Sequence, residues 1–323
     1  MDHRLLGRTG VRVSSLCFGT MSFGTTADED ASAAMFHACL DAGIDMFDTA
    51  NVYGQGRSER ILGGLIKEMR DDLVIASKVF GRMGEGPNDQ GLSRRHVTRA
   101  VEQSLRRLGT DRLDLYYLHQ FDPDVPIEET LRALDDLVRD GLILYPAVSN
   151  WAAWQIAKAL GASAAEGLAR FEAVQPMYNL VKRQAEVEIL PLAASEGLAV
   201  FPYSPVGGGL LSGKYGPDTR PDRGRLVESD QYARRYGRDT DYQVAERFTA
   251  YAQEQGVHPV TLAVAWVGSH PAVTAPILGA RDTEQLAPAL AAAEFEMTER
   301  MRDEISALTP EVPPAHDRRE EAL

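Results

Sequence analysis

Cysteine is scarce in this sequence of 323 residues, which contains only Cys17 and Cys39. The two lack CxxC spacing and lie in apolar contexts, so we expect buried free thiols in a reducing compartment and no disulfide. Histidine is also sparse, with seven residues spread singly along the chain. The clustered ligands that a catalytic metal requires are therefore missing, and no metal is predicted.

Positive charge and long apolar runs are in short supply as well. Acidic residues outnumber Lys and Arg by 47 to 34, and the resulting net charge of −13 disfavours nucleic acid and anionic membranes as partners. No apolar stretch reaches the ~18 residues of a membrane span, and the N-terminus lacks the layout of a signal peptide. We therefore expect a cytoplasmic protein that acts on a small molecule. The sequence leaves its oligomeric state open.

The sequence does contain a repeated alternation of short apolar runs and helical patterns. Eight strand candidates occupy residues 16–18, 44–47, 73–76, 113–118, 143–148, 171–174, 198–201 and 273–277. Helices between them have recognisable ends, such as Gly109 and Gly141. This alternation implies parallel strands, and eight units predict one (β/α)8 TIM barrel, an α/β fold, over residues 1–323. An open doubly wound sheet is the alternative, but no GxGxxG follows the first strand.

Three segments stand outside the alternation. Residues 4–15 carry Arg8-Thr9-Gly10 between two β-prone pieces, which predicts a β-hairpin that caps the bottom of the barrel. Residues 204–242 are rich in Gly, Arg and Asp with little periodicity, and loops of that length are usually functional or mobile. The tail from about residue 309 to residue 323 is predicted to be poorly ordered.

Polar residues follow the predicted strands at the end where barrels of this type place their chemistry. In order, these strand ends supply Gly19-Thr20, Asp48, Lys78, His119, Ser149-Asn150, Gln175, Tyr203-Ser204 and Gly279. Taken singly, each has an ordinary structural explanation, such as a cap, a snorkelling lysine or a core histidine. Together they converge on one barrel mouth, where Lys78 at the end of a buried strand needs Asp48 as its counter-charge.

Tyr53 lies five residues after Asp48 and immediately before Gly54, in a turn that directs its phenol over the barrel. A free phenol, with a pKa of about 10, is a weak acid near neutral pH. A nearby ammonium group favours the phenolate, so we expect Lys78 to bring the pKa of Tyr53 closer to a working value. Asp48 would hold Lys78 in place.

These residues resemble those of the aldo-keto reductases, and the resemblance covers nearly the whole chain. The matching segments are GTMSFG from Gly19, DTANVYG from Asp48, ASK ending in Lys78, LHQ around His119, SNW from Ser149, QPMYN from Gln175, YSPVGGGLLSGKY from Tyr203 and GAR from Gly279. The resemblance implies reduction of an aldehyde or ketone by direct hydride transfer from NADPH. It makes Tyr53 the proton donor of a tetrad with Asp48, Lys78 and His119, in which His119 orients the carbonyl.

The same resemblance implies a cofactor site on the remaining strand ends. Ser149, Asn150 and Gln175 would bind the carboxamide, and Tyr203 would stack on the nicotinamide. The other expected cofactor contacts are Gly19, Thr20, Met21, Asp48, Ser204, Pro205, Leu210, Lys214, Arg225 with Arg223 as its alternative, Gly279 and Gln285.

Arg281 precedes a helix that begins at Asp282, where its planar guanidinium could bind a 2′-phosphate, so NADPH is favoured over NADH. Pro288 and Ala289 stand where relatives often carry an amide or acid for adenine, so the strength of the adenine contacts stays open. The substrate pocket is expected to involve Met21, Phe80, Gln120 and Trp151. The identity of the substrate is not set by the sequence.

Three other functions fit parts of the sequence. Hydrolysis of a nucleoside triphosphate is suggested by residues 208–214, which read GxxxxGK like a P-loop. Tyr215, however, replaces the Ser or Thr whose hydroxyl would bind magnesium. A Schiff-base lyase could use Lys78, because desolvated lysines form imines, but it leaves the nicotinamide segments unexplained. A regulatory protein resembling the potassium-channel β subunits would keep the cofactor site. Those subunits lack the tetrad histidine, whereas this chain has His119.

Overall fold

A computed structural model describes residues 1–316 of the chain. Its ten strands are β1 His3–Leu5, β2 Arg12–Ser14, β3 Cys17–Gly19, β4 Met46–Asp48, β5 Val74–Val79, β6 Leu113–Leu118, β7 Ile143–Ser149, β8 Ala173–Gln175, β9 Ala199–Val200 and β10 Ile277–Leu278. Its α-helices are α1 Glu29–Asp41, α2 Arg57–Ile66, α3 Arg94–Leu108, α4 Ile127–Arg139, α5 Ala153–Glu166, α6 Ile189–Glu196, α7 Arg225–Glu228, α8 Asp230–Tyr236, α9 Asp239–Glu254, α10 Pro259–Gly268, α11 Thr283–Leu290 and α12 Glu299–Ser306.

Eight of the strands form one parallel sheet in the order β10, β3, β4, β5, β6, β7, β8, β9. The sheet closes because the N–H groups of Thr274 and Ile277 donate to the carbonyls of Val200 and Pro202, each at 2.8 Å. A parallel sheet that closes on itself through helical crossovers is a (β/α)8 barrel. The predicted fold class is confirmed. All eight carboxyl strand ends consequently meet at one mouth.

The predicted N-terminal hairpin is also confirmed. Strands β1 and β2 pair antiparallel, and the buried side chains of Leu6 and Val13 join the apolar cluster inside the barrel. The hairpin is fastened to the amino ends of the strands, where Ser14 N–H donates to Asp45 Oδ1 at 2.8 Å and Arg4 donates to the Val273 carbonyl at 2.8 Å. The bottom of the barrel is thereby closed, which leaves the opposite end for chemistry.

The helices pack their apolar faces on the outside of the barrel, where they form the larger of two buried clusters. Helix α3 shows why the chain folds this way locally. The Ser93 side chain accepts a hydrogen bond from the N–H of His96 at the start, and Gly109 adopts a left-handed conformation at φ 65° at the end. Among residues 1–316, no helix is both long and apolar enough to cross a membrane.

The last barrel strand begins later than predicted. Residues 273–277 were expected to form it, but β10 comprises only Ile277 and Leu278. Pro276 explains the shift, because it has no N–H to donate to a neighbouring strand. The preceding residues still run alongside β9, since both Thr274 and Ala275 donate to the Val200 carbonyl.

The long interval 204–242 is not the irregular loop that its composition suggested. It contains α7 and α8 and the first turn of α9. Tyr232 and Tyr236, four residues apart on α8, stack with ring centroids 6.4 Å apart, and both pack against Gly208. The aromatic pair at helical spacing outweighs the Gly and Arg content around it. Of the tail predicted to be poorly ordered, residues 310–314 form neither helix nor strand, and residues 317–323 lie outside the described part.

Candidate active site

A buried ion pair lies beneath the barrel mouth. Asp48 ends β4 and Lys78 lies near the end of the adjacent strand β5, and both side chains are almost fully buried. The Lys78 ammonium donates to Asp48 Oδ1 and, at 2.7 Å, to the carbonyl of Thr49. Burial by itself lowers the pKa of Lys78, but Asp48 and Tyr53 outweigh it, so the pKa is raised overall. Lys78 is therefore a permanent cation held by a fixed carboxylate.

Tyr53 is brought to this ion pair by the loop after β4. Its hydroxyl lies 3.4 Å from Lys78 Nζ, which also sits 5.0 Å from the centre of the phenol ring. We expected Lys78 to bring the pKa of Tyr53 down. Burial has the larger, opposite effect, so the pKa is raised overall, although Lys78 acts in the expected direction. The phenol is consequently protonated at neutral pH and available as a proton donor.

His119 follows β6 and faces Tyr53 edge-on, with ring centroids 6.0 Å apart. Burial, followed by the charge of Lys78, lowers the pKa of His119 to about 3. The imidazole is therefore neutral near neutral pH. A neutral ring beside a protonated phenol can position a carbonyl oxygen by hydrogen bonding without adding a charge.

A chain of polar side chains extends from the ion pair across the mouth. Gln175 Nε2 donates to Asp48 Oδ2 at 2.9 Å, and the Ser149 hydroxyl donates to the Gln175 carbonyl at 2.9 Å. Asn150 Nδ2 donates to Ser149 Oγ at 3.1 Å and to the His119 carbonyl at 2.9 Å. The Tyr203 hydroxyl then donates to Asn150 Oδ1 at 2.7 Å. The predicted tetrad and carboxamide residues thus share one network, whose link between Gln175 and Asp48 was not anticipated.

The backbone at the mouth adopts conformations that side chains disfavour. In the described chain, positive φ angles at residues other than glycine occur at Gln55, Asn150 and Ser204, with values of 57°, 60° and 58°. All three belong to loops at the carboxyl ends of barrel strands. Strained backbone of this kind concentrates at functional sites, where it fixes the direction of a side chain. Sequence patterns gave no indication of the strain at Gln55, two residues after Tyr53.

The first βα loop supplies expected cofactor residues with clear packing functions. A side chain at Gly19 would come within 2.7 Å of Ile277, so glycine allows β10 to approach closely. The Thr20 hydroxyl is buried and lies 2.7 Å from Ser58 Oγ, which ties the first loop to the start of α2. Met21 is exposed at the mouth. These contacts explain Gly19 and Thr20 structurally, and a cofactor role for them stays a prediction.

The segment after β9 supplies the other expected phosphate contacts. Tyr203, Ser204 and Arg225 are half-buried, and Lys214 is exposed. Pro205 and Leu210 are buried, and Leu210 belongs to the apolar core, so only its backbone is available to a ligand. The GxxxxGK stretch that ends at Lys214 is not followed directly by a helix, as a P-loop would be.

Arg281 lies beside the start of α11, which Asp282 caps through a 2.8 Å bond from the N–H of Gln285. In the orientation that satisfies both of its amide atoms, Gln285 accepts from Arg281 Nη2 at 2.8 Å and from Nε at 3.3 Å. Gly279, which precedes Arg281, has open space where a side chain would be. Pro288 and Ala289 belong to α11, and Ala289 is buried in the core, which leaves it little surface for adenine.

The four expected substrate-pocket residues differ in exposure. Met21 and Gln120 are exposed and Phe80 is half-buried. Trp151, in contrast, is 3% exposed and packs between Phe121 and Phe171. The exposed tryptophan of this region is Trp154, which contacts Phe121 edge-on. A role for Trp151 in substrate binding stays a prediction.

Comparison with known proteins agrees with this architecture. The sequence of residues 15–309 matches a family model whose description is "Aldo/keto reductase family". A probable voltage-gated potassium channel subunit beta of Oryza sativa subsp. japonica is 37% identical over 97% of this chain and 94% of its own. The uncharacterized oxidoreductase YrpG of Bacillus subtilis is 37% identical over 92% of both chains. The versiconal hemiacetal acetate reductase of Aspergillus parasiticus is 30% identical over 92% of this chain and 94% of its own. The chain therefore belongs to the aldo/keto reductase family, a family of NAD(P)H-dependent oxidoreductases.

Proposed function

We propose that this protein reduces an aldehyde or ketone to an alcohol with NADPH, and that Tyr53 donates the proton. The observation that carries the proposal is the position of the Tyr53 hydroxyl, 3.4 Å from an ammonium that is itself paired with a buried carboxylate. When bound, the reduced nicotinamide would supply the hydride. The protein has to supply the proton, the orientation of the carbonyl and a site sheltered from water.

Tyr53 suits the role of proton donor for electrostatic reasons. Its hydroxyl is protonated at neutral pH, since burial raises its pKa, and the adjacent Lys78 cation would stabilise the phenolate left after the proton has moved. Asp48 keeps Lys78 charged and in place. His119, neutral and edge-on to the phenol, would donate a hydrogen bond to the same carbonyl oxygen.

The residues around the mouth fit an anionic dinucleotide. Lys214 and Arg225 have no carboxylate within 4 Å in the described chain, and the partner of Arg281 is the amide of Gln285. Exposed or half-buried cations without counter-charges suit phosphate groups. Asn150 and Gln175 supply amide groups that could bind the carboxamide, and the ring of Tyr203 lies beside them.

The test measures the consumption of NADPH, by its near-ultraviolet absorbance, across a panel of aldehydes and ketones. The same panel is then repeated with NADH. We expect turnover of at least one carbonyl class and a clear preference for NADPH. Failure to consume either cofactor with any carbonyl, in protein that binds NADPH, would contradict the proposal.

A regulatory role is the second candidate, because relatives at 37% identity are named as potassium channel β subunits. The presence of His119 beside Tyr53 favours catalysis over this role. The same assay separates the two, since a purely regulatory protein would bind NADPH without turning over.

A Schiff-base lyase is disfavoured by the state of Lys78. An amine must lose its proton to attack a carbonyl, whereas the pKa of Lys78 is raised and its ammonium is paired with Asp48. Trapping of a covalent adduct on Lys78 with borohydride would revive that function.

We also propose a cytoplasmic location, because Cys17 and Cys39 are both buried and unpaired, as in proteins of reducing compartments.

A further inference from the structure

Helix α8 places an aromatic side chain against the loop that follows β9. Tyr232 is half-buried and packs where a side chain on Gly208 would be, 2.7 Å from that position. Tyr236, on the next turn, is buried and hydrogen-bonded to Asn179, which in turn donates to the Ser204 carbonyl at 2.9 Å. Helix α8 is thereby fixed to the loop that directly follows Tyr203.

Tyr232 acts electrostatically on the tyrosines of the proposed site. Burial is the main reason that the pKa values of Tyr53 and Tyr203 are raised, and the Tyr232 hydroxyl adds to the rise in both. Arg235 acts on Tyr203 in the opposite direction. The side chains of α8 are therefore near enough to Tyr53 and Tyr203 to influence their pKa values.

Two arginines flank the Tyr232 ring without a counter-charge. The guanidinium carbons of Arg225 and Arg235 each lie 5.5 Å from the ring centroid. Both side chains are half-buried, and neither forms an ion pair within 4 Å with any carboxylate of the described residues. Holding partly buried cations together without an anion is unfavourable, so the arrangement suits a site that receives one.

The local charge contrasts with that of the whole chain. Between residues 214 and 238 there are seven Lys and Arg residues against four Asp and Glu, whereas acidic residues dominate overall by 47 to 34. The segment that contains α7 and α8 is thus locally cationic in a chain that is acidic overall, which favours the approach of an anion there. The cofactor phosphates account for some of these cations. The nicotinamide carries no phosphate, however, and the end of α8 is linked through Asn179 to Ser204, next to Tyr203, where the nicotinamide is expected.

We propose that Arg235 binds a carboxylate or phosphate group on the substrate, so that the preferred substrates are aldehydes or ketones that carry a negative charge. Tyr232 holds the guanidinium in position by a cation–π contact, and Arg225 is left to the cofactor. This inference rests on the carbonyl reduction proposed above. It makes Arg235 a specificity residue with no part in proton transfer.

The test compares two substrates of similar shape that differ by one charge, 4-carboxybenzaldehyde and methyl 4-formylbenzoate. Wild-type protein should show a kcat/KM about tenfold or more higher for the acid, the effect of one charge-assisted hydrogen bond. Arg235→Gln should abolish this preference by raising KM for the acid, while kcat/KM for the ester and the dissociation constant of NADPH stay unchanged. Arg234→Gln is the matched control, because its exposed guanidinium donates to the backbone of its own helix and should leave the preference intact.

Two results would overturn the assignment of Arg235. One is equal kcat/KM for acid and ester in the wild type; the other is an Arg235→Gln variant that loses NADPH affinity and both substrates alike. Absence of turnover with every carbonyl would instead contradict the proposed reductase function. In that case the role of Arg235 is tested by calorimetry, which measures the binding of terephthalate to NADPH-loaded protein. Weaker binding to Arg235→Gln supports the proposal, and equal binding contradicts it.

Discussion

The ammonium nitrogen of Lys78 lies 3.4 Å from the phenolic oxygen of Tyr53 and bonds at the same time to the carboxylate of Asp48. The lysine thus connects a group that can give up a proton to a buried negative charge. Because both neighbours favour its charged form, Lys78 stays protonated despite full burial. The stability of the barrel and the acidity of Tyr53 consequently depend on the same cation.

Removal of Lys78 should therefore destabilise the protein as well as inactivate it. Lys78→Met leaves Asp48 buried without its cation, and a broken buried pair typically costs about 3–5 kcal/mol. Urea unfolding followed by circular dichroism measures the loss. In the matched double variant Asp48→Asn with Lys78→Met, no unpaired charge remains, and most of the stability should return. A Lys78→Met protein as stable as wild type would show that the pair is not buried as described.

The depressed pKa of His119 predicts how stability depends on pH. Its pKa is about 3 in the folded chain, against about 6.5 in an unfolded one, so below pH 6.5 the unfolded state binds a proton that the folded state rejects. Stability should fall as the pH drops from about 6.5 toward 3. The measurement is the urea midpoint at pH 7 and near pH 4.5 for wild type and His119→Gln. The variant should lose less stability on acidification, and an equal loss in both proteins would contradict the lowered pKa of His119.

Arg281 should set the choice between the two nicotinamide cofactors. The extra phosphate of NADPH is the group that a guanidinium beside the start of α11 would bind, so Arg281→Ala should weaken NADPH at least about tenfold and NADH little. Tryptophan fluorescence quenching gives both dissociation constants. As a control, Arg300→Ala removes an exposed arginine paired with Glu304 and should change neither. Equal losses of affinity for both cofactors would show that Arg281 does not bind the 2′-phosphate.

The hairpin at the barrel bottom depends on a glycine. Gly7 has φ 54°, and a side chain there would come within 2.8 Å of the Gly197 carbonyl and 2.9 Å of the Glu172 carbonyl. Gly7→Ala should lower the free energy of unfolding by more than about 1 kcal/mol, because alanine would strain the backbone at this φ and clash with those two carbonyls. Gly10→Ala is the control, since Gly10 also has positive φ but open space around it. If the two variants lose the same stability, steric contact at Gly7 is not the cause.

The barrel was predictable because each of its units is locally consistent. A few neighbouring residues are enough to indicate each unit. These units are apolar runs of strand length, helices that end at Gly109 and Gly141, and a hairpin around Gly10. The ion pair was predictable for a related reason. Parallel strands bring their carboxyl ends together, so Asp48 and Lys78 had to meet.

Other features depend on contacts between distant segments, and local patterns could not reveal them. The composition around α8 suggested a loop, whereas the stack of Tyr232 on Tyr236 and their packing on Gly208 makes it a helix. The bond from Gln175 to Asp48 joins residues that are far apart in the chain. The net pKa of Tyr53 depends on how completely its hydroxyl is buried, which only the folded loop determines.

The most direct test of the account is turnover and cofactor binding in Tyr53→Phe, which removes the hydroxyl beside Lys78 and keeps the ring. With a carbonyl that the wild type reduces, the variant should lose about 10² to 10⁴ in kcat, the usual contribution of a general acid. NADPH should still quench its tryptophan fluorescence with an unchanged dissociation constant. Turnover equal to that of the wild type would show that Tyr53 does not donate the proton.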